Sequence, residues 1–187
     1  MSSLTTTDKL KNLLPQLFSQ QQRQGNYYLR FKLTSEISAV IDLKYVQESL
    51  TVEGDRLTAV PNLPEYTVGL MSSRNQVFLA IDLAHLIGFA PETVNLRRYQ
   101  TIVIQTDSQS EMMSDRLSLF GLTVKNIQGI SRITSEQFSS NTDLVPEILS
   151  PFVSNSVMLR DEVNDSTVDV RESSFLIDIP KLIQTKL

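Results

Sequence analysis

The sequence predicts a mainly β protein: two similar subdomains sharing one core, with short helices. Three observations carry that prediction. From Asn26 onward the apolar pattern has a period of two, as half-buried strands require. Ile81-Asp82-Leu83-Ala84-His85-Leu86-Ile87 has a counterpart in Ile177-Asp178-Ile179-Pro180-Lys181-Leu182-Ile183, at an offset of 96 residues. A chain of 187 residues, 41% hydrophobic and 20% charged, is also long and apolar enough to bury a substantial core.

The first 25 residues stand apart. Leu10, Leu13, Leu14 and Leu17 fall at helical spacing, with Asp8 near the start, where negative charge is favoured. Pro15 kinks or restarts that helix, and Ser19 to Gly25 reads as a polar linker. Residues 1–25 are therefore expected to lie outside the barrels as an amphipathic extension, ahead of a domain spanning 26–187, its helix either docked on the body of the protein or binding a partner.

In the first strand Tyr27, Leu29, Phe31 and Leu33 alternate with Tyr28, Arg30 and Lys32, which assigns the first set inward. Thr34-Ser35-Glu36 turns the chain into a second run carrying Ile37, Ala39, Ile41 and Leu43. A shorter run, Leu57 to Val60, is stopped by Pro61 and Pro64. Val68 to Ser72 and Gln76 to Ile81 form a hairpin across Ser73-Arg74-Asn75. Asp82 caps a short helix that Gly88 closes. Further on, Tyr99 to Thr106, Leu117 to Val124, Ser156 to Leu159 and Ser174 to Asp178 are β-rich, and a helical end follows.

The chemistry is as informative for what it lacks. With no cysteine and a single histidine, His85, there is no thiolate nucleophile, no disulfide and no His-pair metal site. A net charge of −4 argues against wrapping nucleic acid. No run reaches the roughly 18 apolar residues of a membrane span, and Asp8, Lys9 and Lys11 interrupt any secretion signal, so a cytoplasmic protein is expected. Glycine-rich phosphate loops and serine elbows are absent. A serine triad would need His85 as base, yet its place between Ala84 and Leu86 on the short helix reads as structural. The inventory favours a binding module over an enzyme, with no cofactor.

Tyr28 to Gly88 resembles the CheW family, adaptors that couple chemoreceptors to the histidine kinase CheA. The resemblance rests on ordered landmarks: Tyr28-Leu29-Arg30-Phe31-Lys32-Leu33, Ile41-Asp42-Leu43, and the Val-x-Glu signature at Val46-Gln47-Glu48. Val60-Pro61-Asn62-Leu63-Pro64-Glu65-Tyr66 with Gly69, Ser73-Arg74-Asn75, and Ile81-Asp82-Leu83 with Gly88 follow in order. The second half departs further. Lys125 stands where the family has Asp, and Arg160 to Glu172, with five acidic and two basic residues, enlarges a hairpin as a solvated loop; in the first half Asn75 stands for a glycine.

The resemblance implies two five-stranded Src-homology-3-like barrels flanking a common hydrophobic core, and no catalysis. It implies two partners, the cytoplasmic tip of a methyl-accepting chemoreceptor and a CheA-type histidine kinase, in an array serving chemotaxis, phototaxis or pilus motility. It places the contacts at Val46, Gln47, Glu48 and Arg74. Each has a plainer alternative: Val46 as a core strand residue, Glu48 and Arg74 as a surface ion pair worth about 1 kcal/mol or less. The rival to a bridging adaptor is an inhibitory or decoy protein that binds only the kinase regulatory domain.

Overall fold

The computed structural model describes residues 25–91, 93, 96–106, 118–140, 145–160 and 171–186. The expected extension, Gly25 apart, lies outside these residues, as does 161–170 of the acidic segment. In chain order the strands are β1 (Asn26–Lys32), β2 (Ser38–Asp42), β3 (Val46–Glu53), β4 (Thr67–Ser73), β5 (Gln76–Asp82) and β6 (Arg98–Thr106). β7 (Ser118–Val124), β8 (Asn126–Ile133), β9 (Phe138–Ser139), β10 (Val153–Arg160) and β11 (Arg171–Ile177) complete them, with helices α1 (Leu83–Ile87) and α2 (Ile179–Lys186).

Two sheets form. One has the order β3-β6-β7-β5-β4 and the other β8-β1-β2-β11-β10-β9. The senses of pairing match position by position. β3·β6 and β6·β7 are antiparallel, β7·β5 is parallel and β5·β4 antiparallel. Likewise β8·β1 and β1·β2 are antiparallel, β2·β11 is parallel and β11·β10 antiparallel. Each sheet is thus one five-strand pattern, and the second adds the two-residue β9 as a sixth strand, one more than expected.

The two sheets do not divide the sequence into halves. The first subdomain is built from β3 to β7, whereas the second takes β1 and β2 from before them and β8 to β11 from after them. The β1–β2 hairpin occupies the place that β6–β7 holds in the other sheet. The repeated Ile-Asp segments nevertheless correspond, ending β5 and β11 and starting α1 and α2.

Both sheets curl, because residues from their opposite edges share interiors. Val52 of β3 packs in one cluster with Met71 of β4, Phe78 and Ala80 of β5, and Tyr99 and Val103 of β6. Gly121 on β7 makes room there, since a Cβ would stand 2.8 Å from Cε2 of Phe78. In the second sheet Tyr28, Val40, Ile133, Val157 and Leu159 cluster with Phe138 of the edge strand β9. The Tyr28 and Phe138 rings meet edge to face at 5.4 Å. Between the barrels lies the largest cluster. Leu29, Phe31, Leu33 and Ile41 meet Ile81, Ile102, Ile104 and Leu122 there, with α1 and α2 packed in through Leu83, Leu86, Ile179 and Leu182. Two barrels around a shared core are therefore what the chain builds.

Four local expectations are revised. β3 and β8 are strands that the alternation did not mark, and Leu57 to Val60 forms none, contributing only an isolated bridge from Thr58 to Leu70. On β1, Leu29, Phe31 and Leu33 face the core as expected, but Tyr27 is 50% exposed and Tyr28 fills the barrel. With a covered face on each side of β1, alternation alone does not tell which residues are inside.

Asp82 is a buried acceptor held by several donors. Its buried carboxylate accepts from the N–H of His85 (3.1 Å), the N–H of Thr93 (2.9 Å) and the hydroxyl of Thr93 (2.8 Å). Thr123 Oγ1 lies 2.9 Å from Thr93 Oγ1 and 3.2 Å from the Ile81 carbonyl. Asp178 caps α2 in the same way, accepting from the N–H of Lys181 at 3.0 Å, but at an exposed site.

Candidate functional site

The expected contact residues fall at two places that the curl of the first barrel brings together. Asp42 ends β2 and accepts from the N–H of Lys44 at 3.0 Å, starting a single 3-10 turn that delivers the chain to β3. The Asp42 carboxylate also lies 3.4 Å from the Lys44 ammonium and raises its pKa above the ordinary lysine value.

The register then breaks. Val46 stands opposite Ile104, whereas Glu48 stands opposite its neighbour Val103, leaving Gln47 as the extra residue of a β-bulge. A regular strand would point Val46 and Glu48 to the same side. The bulge separates them: half-buried Val46 packs against the shared core with Ile104, and Glu48 turns to the interior side of the barrel with Leu50 and Val52. Gln47 is left exposed.

Arg74 comes from the other edge. Ser73 pairs with Gln76, so Arg74 and Asn75 are the two central residues of a tight hairpin turn, with φ of 47° and 64°. Positive φ at both positions is the type I′ geometry whose twist suits adjoining strands. Asn75 serves in place of glycine, as asparagine tolerates this region. Arginine does not favour it, and holding Arg74 there costs about 1–2 kcal/mol. From this tip Nε of Arg74 reaches Oε2 of Glu48 at 3.1 Å. The pair spans β3 and the β4–β5 hairpin, at the mouth of the barrel. The side chain of Glu48 is 16% exposed and that of Arg74 72%. The two candidate contacts are thus ion-paired, as the plainer alternative drawn from the sequence had it, and most of the guanidinium still faces solvent.

One flanking residue was not singled out from sequence. Val77, beside the tip on β5, is 67% exposed, while its neighbour Phe78 fills the barrel. The signal was the apolar alternation of Gln76 to Ile81, which does not reveal that cover ends before Val77. His85 is half-buried on α1, its N–H bound to Asp82. Among the described residues no group of three or more His, Cys, Asp and Glu could hold a metal ion, and no helix is long and apolar enough to cross a membrane.

Comparison with known proteins agrees with this architecture. The chain is similar to the scaffolding protein TtCheW from Thermoanaerobacter tengcongensis, with a TM-score of 0.60 and 17% identity over 83% of this chain and 90% of that one. At that identity the likeness is one of fold. No curated protein matches. The model of the CheW-like domain matches residues 27–186, nearly the whole chain and both barrels. The chain belongs to the CheW-like domain family.

Proposed function

We propose that this protein is a non-catalytic adaptor that couples a chemoreceptor tip to a CheA-type histidine kinase in the cytoplasm, with Gln47, Glu48 and Arg74 at the contact and Val46 setting their support. Arg74 carries this reading. It is held at φ 47° on a hairpin tip, where asparagine or glycine would relieve strain, and its side chain is 72% exposed. A strained, exposed arginine is retained at a cost that its ion pair, worth about 1 kcal/mol or less, does not by itself offset. The bulge at Gln47 supports the same surface by turning Glu48 toward Arg74 while Val46 anchors the strand.

The test is a titration of the purified chain against a receptor cytoplasmic fragment and the kinase regulatory domain. Arg74→Glu is expected to weaken binding more than tenfold while leaving the melting temperature nearly unchanged. Glu48→Arg is expected to weaken it as well. The double exchange rebuilds an ion pair with reversed signs, so it does not restore binding to a partner that reads the charges. Undiminished binding by the single variants, or full recovery in the double exchange, refutes the contact assignment. Binding to the kinase domain with none to receptor replaces the bridging adaptor by a kinase-side inhibitor or decoy.

A further inference from the structure

The face that β1 and β8 turn toward the shared core extends past its cover. Tyr27 stands opposite Arg132 and Leu29 opposite Ile130, and residues directly opposite in an antiparallel pair share a face. Leu29 is buried in the shared core, yet on the same face Tyr27 is 50% and Ile130 58% exposed. The Arg132 guanidinium lies 4.8 Å from the Tyr27 ring centroid, and Ile130 is the diagonal neighbour of Tyr27 on the same face. An apolar strip therefore continues the core outward.

The chain joins the fold beside this strip. Gly25 has φ 123°, and a Cβ on it would stand 2.6 Å from the Ile133 carbonyl oxygen, so Gly25 itself is pressed against the end of β8. Leu17 lies eight residues upstream of Gly25, a reach of up to about 28 Å. Ile130 is three residues along β8 from Ile133, about 10 Å. The intervening Ser19 to Gln24 is polar and has nothing apolar to bury, whereas Leu10, Leu13, Leu14 and Leu17 form one apolar row. A helix that short is marginal alone in water and needs an apolar surface to lie on.

We infer that the segment preceding Gly25 folds back onto its own barrel and lays its leucine row over Tyr27 and Ile130. The segment is then a cover for the outer end of the shared core, and the strip is its docking surface. This inference does not depend on the adaptor reading.

Because the chain has no cysteine, a nitroxide on Asn12→Cys labels one site in the full-length protein. The amide resonances of Tyr27, Ile130 and Arg132 are expected to broaden more than those of the β4–β5 hairpin, independently of protein concentration. Leu13→Asp with Leu17→Asp should reduce that broadening several-fold without changing the tether. Ile130→Asp, a substitution at an exposed position, should reduce it equally from the other side. Broadening that survives these substitutions reports tethering alone and overturns the inference. So does broadening centred elsewhere, or broadening that fades on dilution and reappears between labelled and unlabelled chains, which would assign the strip to a second copy.

Discussion

Asp82→Ala and Asp178→Ala remove the same cap from the two copies of one repeated segment, but the surroundings make their costs unequal. Asp178 accepts one N–H, from Lys181, at an exposed site, where water can replace it. Its loss should cost about 1 kcal/mol, the ordinary worth of an N-cap. Asp82 accepts from the N–H of His85 and from both the N–H and the hydroxyl of buried Thr93. Truncation removes the cap and, at about 1–3 kcal/mol beyond the cap itself, leaves the buried N–H of Thr93 without its acceptor, while the Thr93 hydroxyl keeps Thr123 Oγ1 at 2.9 Å. The total for Asp82→Ala is therefore about 3 kcal/mol. Urea unfolding followed by circular dichroism measures both. With a slope of about 2 kcal/mol/M, the midpoint should fall by about 1.5 M for Asp82→Ala and about 0.5 M for Asp178→Ala. Thr93→Val should lose an intermediate amount, because it removes one donor and keeps the cap. Equal midpoints for the two aspartate variants would mean that the Thr93 contacts contribute nothing, and the account of this buried network would fail.

Phe31 is fully buried in the shared core, and Phe31→Ala should cost about 3–5 kcal/mol in the same assay; a loss under about 0.5 kcal/mol would contradict the assignment of that face. Gly121→Ala drives a methyl against Phe78 and should cost about 1–3 kcal/mol, much of it recovered by adding Phe78→Leu. Without such recovery, the clash is not with Phe78. Deleting residues 26–45 should abolish cooperative folding, since β2 is the partner of β11 although remote in sequence; a folded C-terminal barrel in the truncated chain would refute the topology. Deleting residues 1–24 should lower the melting temperature by only about 3 °C or less, as the surface it would bare is a few side chains, and failure to fold would place that segment in the core.

Sequence determined the local features whose causes are local. Asp82 and Gly88 bound a helix because a side-chain acceptor and a residue free to adopt positive φ stand at its two ends. Ser73 to Gln76 turns because two residues must take positive φ, and Asn75 tolerates it. The alternation of Leu29, Phe31 and Leu33 identified core residues, and the landmarks from Tyr28 to Gly88 pointed to the family and hence to paired barrels. The candidate contacts at Val46 to Glu48 and Arg74 came from that resemblance. Only the tertiary structure decided which sheet each strand joins. A parallel pairing such as β2 with β11 leaves no mark in either strand, because hydrogen-bonding backbone is the same in every residue. Tertiary structure also decided which face of β1 was which, placing Tyr28 inside and Tyr27 out, since burial on both sides erases the contrast that alternation reads. Last, it decided that Glu48 meets Arg74, which the sequence left as one alternative. That meeting depends on a bulge at Gln47 and on the curl that joins opposite edges of one sheet, and both are set by pairing between distant strands rather than by the residues that pair.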